Sequence, residues 1–73
     1  MSLYQIYDKY KDRLDETQKA WDDAYNELRN STDRERKNYL TEHIQLLNAQ
    51  ISAYECIVKD LKEYLDNANE ISR

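Results

Sequence analysis

The chain's 73 residues include 15 acidic and 11 basic side chains, for a net charge of −4; 40% are apolar, with no glycine, no proline and one cysteine. A chain this short buries only about 60% of the surface that its unfolded form exposes, and one cysteine with one histidine supplies neither an internal disulfide nor a zinc cluster to compensate. Glycine-dependent phosphate loops and strand folds built on glycine and proline turns are excluded, which leaves helices that stabilise one another.

Ser2 and Gln5 have the spacing of a capping box, so a first helix is expected from about Leu3 to Arg29. Along it Leu3, Tyr7, Tyr10, Leu14, Thr17, Trp21, Ala24 and Leu28 recur at alternating intervals of four and three, the seam of a helix that packs on another helix. The seam then stops, because its next positions hold Ser31, Glu35 and Lys37 or Asn38. A turn is therefore expected at about residues 30–32, with Asn30 in the left-handed conformation that ends helices and with Thr32 and Glu35 as a second capping box. Asp33 is well placed against the positive end of the next helix dipole.

The second helix is expected from residue 33 to about Ile71, with a seam of Leu40, Ile44, Leu47, Ile51, Tyr54, Val58, Leu61, Leu65, Ala68 and Ser72. So short a turn makes the two helices antiparallel, and the predicted fold is all-α: a coiled-coil-like two-helix hairpin forming one domain over residues 1–73. Folding about the turn sets Leu28 beside Glu35 and Leu3 beside Lys59 or Asp60. About 13 residues from Leu61 onward are then expected to project by roughly 20 Å. Helix two also carries Tyr39, Leu46, Ala53, Ile57, Tyr64 and Ile71 beside its seam, whereas the flank of helix one holds little beyond Tyr4, Ile6, Ala20 and Tyr25. A stripe that wide suits a helix with two neighbours, so a homodimer closing into a four-helix bundle is the expected assembly.

Catalytic constellations are missing from the sequence. His43, the single histidine, sits beside the seam with Tyr39 and Leu47 four residues away, and no carboxylate lies three or four residues from it on its own helix. Leu40 stands where a di-iron motif would need glutamate, and Cys56 has no lysine, arginine or helix N-terminus arranged to activate it. No enzymatic activity, metal or cofactor is expected. The acidic residues of helix one are interrupted by lysines and pair with them along the helix, as Asp15 does with Lys19. No apolar run reaches the roughly 20 residues of a membrane span, and no leader pattern opens the chain, so a cytoplasmic protein is expected.

The expected function is protein–protein contact, as an oligomeric adaptor or as a stoichiometric regulator or inhibitor of a larger complex, in the manner of small phage and mobile-element inhibitors. The expected contact surface, for a second copy or for another protein, is Ile57, Leu61, Tyr64, Leu65, Ala68 and Ile71. The competing expectation is a dimeric hairpin that binds RNA or DNA through Arg29, Arg34, Arg36 and Lys37 around the turn. The acidic balance of the whole chain opposes that second reading, because its long-range field repels phosphate.

Overall fold

The computed structural model describes residues 2–71, with the side chains of residues 2–68. Two helices, α1 (Leu3–Asn30) and α2 (Arg34–Ile71), pack side by side as an antiparallel hairpin 58 Å long and 18 by 14 Å across. The predicted hairpin is therefore observed, with helix ends within a residue of those expected. Among the described residues no helix is long and apolar enough to cross a membrane.

Local chemistry explains where α1 begins. The Ser2 N–H donates to Gln5 Oε1 (2.9 Å) and the Gln5 N–H donates to Ser2 Oγ (3.2 Å), the reciprocal pair that satisfies two otherwise free backbone donors. The turn differs from expectation in two respects. No non-glycine residue among those described has positive φ. Instead of a left-handed Asn30, the chain leaves α1 through Ser31 in extended conformation, φ −82° and ψ 140°. Three linking residues are enough to reverse the chain without the strain that a left-handed side-chain-bearing residue costs. The cap of α2 is Asp33 rather than Thr32: its Oδ1 accepts the Glu35 N–H at 3.1 Å, and its carbonyl accepts the Lys37 N–H at 2.9 Å. A carboxylate there both caps and faces the positive helix end, which a threonine hydroxyl does not match.

Most of the seam buries as its spacing requires, whereas Leu3 at its start and Ala68 near its end stay exposed. Leu40 (3% exposed), Leu47 (6%) and Ala24 (7%) form the densest part of the core, with Ala20, Trp21, Leu28 and Ile44 packed around them. Tyr7, Tyr10, Leu14, Thr17, Ile51, Tyr54, Val58 and Leu61 are half-buried along the same line, and Tyr10 meets Tyr54 across the helices with ring centres 6.1 Å apart. The polar seam residue Thr17 turns its hydroxyl back to the Arg13 carbonyl at 2.7 Å, so it brings no unpaired donor into the interface.

The projection of α2 is shorter than expected. Leu65 is 8% exposed and lines one hollow together with Tyr4 and Tyr7 of α1, so neither it nor half-buried Leu61 belongs to an uncovered overhang. Helical side chains lean toward their own N-terminus. In an antiparallel pair the α1 side chains therefore reach away from the turn while those of α2 reach back toward it. This lean carries coverage about one and a half helical turns beyond the level expected for the Leu3 backbone. Near the turn the expected level holds, since Glu27 of α1 meets Arg36 of α2.

Leu47→Ala is expected to destabilise the hairpin by about 2–4 kcal/mol through the cavity it leaves, and exposed Asn48→Ala to change stability by less than about 0.5 kcal/mol; thermal unfolding followed by circular dichroism distinguishes the two. The cap assignment predicts a loss of about 1 kcal/mol for Asp33→Ala and a much smaller one for Thr32→Ala, read from urea denaturation midpoints.

Candidate functional site

The two faces of α2 divide the chain's apolar surface unequally. One faces α1. The other begins one residue earlier at each repeat and runs Tyr39, His43, Leu46, Gln50, Ala53, Ile57, Asp60, Tyr64, again at alternating intervals of four and three. Adjacent helix positions are separated by 100°, so the second stripe stands about a quarter turn from the first and α1 leaves most of it uncovered. Tyr39 is 55% exposed, Leu46 60% and Tyr64 61%, and Gln50, Ala53 and Asp60 are exposed between them. His43 and Ile57, nearer the groove between the helices, are half-buried.

At the turn end of this stripe the side chains hold one another in place. The Arg36 Nε and Nη2 donate to the two carboxylate oxygens of Glu27 at 2.6 and 3.0 Å, a fork that bridges α2 to α1. The same guanidinium lies over the Tyr39 ring, 5.1 Å from its centre, and the Tyr39 ring stacks on His43 at 5.9 Å and 10°. The hydrogen bond from Arg36 holds the Glu27 carboxyl below the usual carboxylate range, and Glu27 in turn raises Arg36. Both side chains are about half exposed, so solvent screening leaves this bridge a fastener rather than a main source of stability.

Of the expected contact residues, Leu65 is buried and Ile57 and Leu61 are half-buried within the hairpin, whereas Tyr64 and Ala68 are exposed; the side chain of Ile71, like Ser72, lies outside the described residues. The exposed apolar surface therefore includes Tyr39 and Leu46, nearer the turn, as well as the expected Tyr64. Its signal in the sequence is the second four-three spacing. The sequence already places Tyr39, Leu46, Ala53, Ile57 and Tyr64 beside the seam, although three of the eight positions that complete this spacing, His43, Gln50 and Asp60, are polar.

The four basic residues expected to contact nucleic acid, Arg29, Arg34, Arg36 and Lys37, are all exposed around the turn, but Arg36 is committed to Glu27 and Tyr39. Asp23 and Glu27 of α1 line the hollow beside His43, carboxylates that spacing along α2 alone does not reveal. That hollow is open and holds no nucleophile. Cys56 is exposed, and among the described residues no group of three or more histidine, cysteine, aspartate or glutamate side chains is gathered to hold a metal ion. On α1, Trp21 stacks on Tyr25 with ring centres 5.1 Å apart, and its indole N–H is buried without an acceptor.

Comparison with protein-family models, with curated proteins and with solved structures finds no match to this chain. The functional reading therefore rests on fold and surface.

Glu27 ionises more readily in the folded chain than in the unfolded one, so the stability it contributes is present above about pH 4.5 and is lost as pH falls through its lowered folded value. Unfolding midpoints measured from pH 7 to pH 3 are expected to fall less steeply for Glu27→Gln than for the parent chain, and the difference between them to shrink in high salt.

Proposed function

We propose that this chain acts without catalysis, as a self-associating helical hairpin that works by protein–protein contact along α2: an oligomeric adaptor, or a stoichiometric regulator or inhibitor of a larger complex. The observation that carries this reading is the second stripe of α2. Single exposed apolar residues are ordinary on a soluble surface. Tyr39, Leu46 and Tyr64 are different, because all three stand more than half exposed on one face in the spacing by which helices bury one another. Tyrosines add large contact area at low entropic cost, as at binding hot spots.

Size supports the same reading. The core contains no side chain below 2% exposure among the large residues described, and a 73-residue chain with neither disulfide nor metal gains most from association. RNA or DNA binding is the weaker alternative, since Arg36 is already engaged and the remaining turn cations sit in a chain of net charge −4.

Light scattering over a range of concentrations tests the proposal. The wild-type chain is expected to have at least twice the monomer mass, and Leu46→Glu with Tyr64→Glu is expected to reduce it to monomer while circular dichroism shows the helices intact. A wild-type chain that stays monomeric throughout overturns self-association.

A further inference from the structure

Resting on the self-association reading, and naming the occupant of the stripe, we propose that α2 pairs with α2 of a second copy of this chain, antiparallel, across a two-fold axis at the level of Glu55. The order of residues along the stripe selects this arrangement. With the axis at Glu55, Leu46 faces Tyr64 of the second copy and Ala53 faces its Ile57, each apolar on apolar. Gln50 faces Asp60 of the second copy, an amide N–H donor against a carboxylate, and His43 faces its Asn67, two side chains that hydrogen-bond to each other. The two-fold repeats each layer, so polar residues meet only polar residues and none of the four pairings sets like charges together.

Other registers lose this match. A parallel pair sets the Asp60 carboxylates of the two copies against each other, a like-charge contact in a desolvated seam. Antiparallel pairing shifted by one heptad places Gln50 against Ala53, leaving an amide with an apolar partner twice in each dimer. Antiparallel pairing also sets the helix dipoles head to tail. The hairpins do not obstruct this approach, because the stripe stands a quarter turn from the face that α1 covers, with Tyr39, Leu46 and Tyr64 open to solvent. Shape agrees with the charge pattern: α2 is ten residues longer than α1, and in this register each projecting end lies along the turn-proximal half of the other α2.

Two measurements on the full chain test the arrangement at concentrations where light scattering shows the dimer. In a Cys56→Ser background, Leu46→Cys and Tyr64→Cys chains are mixed and treated with a short bis-maleimide, and Leu46→Cys is mixed likewise with Ile57→Cys. The expected product joins position 46 of one chain to position 64 of the other, in preference to 46 with 46 or 46 with 57, since a one-heptad shift moves the partner by about 10 Å. Separately, Gln50→Glu is expected to weaken dimerisation roughly tenfold by facing Asp60, and adding Asp60→Lys to restore it. A dimer that cross-links 46 to 46 or 46 to 57, or that the added Asp60→Lys does not rescue, overturns this pairing and leaves self-association standing. A chain that is monomeric at every concentration overturns both.

Discussion

The structure depends on the mutual burial of two apolar stripes, one from α1 and one from α2, because nothing else in the chain can hold it. An isolated helix in water owes little to its own propensity and most of its stability to the face it packs. Here that packing is a single line of contact, densest where Leu40 and Leu47 close on Ala24 and looser toward the open end, where Tyr7, Tyr10 and Tyr54 fill the gap with half-buried rings. The small residues Ala20 and Ala24 belong to the buried cluster nearer the turn, and the rings of Tyr10 and Tyr54 meet across the helices further out. The result is a rod whose core is one layer deep. Its stability is accordingly sensitive to each buried leucine.

The turn sets everything that the seam does not. Three residues without glycine reverse the chain by an extended Ser31 and an aspartate cap, and the Glu27–Arg36 fork fastens the first turn of α2 to the last turns of α1. Once that end is fixed, the level of every pair along the rod is fixed too. The inclination of helical side chains then decides which residues the end of α1 protects: Leu65, which lines one hollow with Tyr4 and Tyr7, is buried although it stands five or six residues beyond the expected level of Leu3. The exposed apolar surface of α2 accordingly runs from Tyr39 near the turn through Leu46 to Tyr64, rather than being confined to its far end.

The two helices are unequal partners. Beyond its seam, the outer face of α1 is mostly charged, with Asp8, Lys9, Asp12, Arg13 and Glu16 lining its surface. α2 repeats an apolar spacing on a second face. A helix with two apolar faces a quarter turn apart suits a place between two neighbours; α1 is one of them, and the second copy proposed above would be the other. The polar members of the second stripe are as informative as the apolar ones. In the proposed pairing, a stripe interrupted by His43, Gln50 and Asp60 is selective about its register, because each of these residues is best met by a partner that hydrogen-bonds.

Helix identity, the first capping box, the seam and the position of the reversal were all legible in the amino-acid sequence, because each depends on residues within a turn or two of one another and on a periodicity that survives without knowledge of the partner. Which residue caps α2, how the chain leaves α1 and which side chains the hairpin leaves uncovered were not. Thr32 and Asp33 are both good caps, and only the path of the turn chose between them. Leu65 has the same spacing whether α1 reaches it or not, and only packing direction showed that it does. Asp23 and Glu27 stand near His43 through the pairing of two helices, a relation between distant positions that local spacing does not encode. Sequence by itself determined that this protein is a hairpin of two amphipathic helices; tertiary structure alone decided which face remains exposed, since exposure is what is left after every long-range contact has been made.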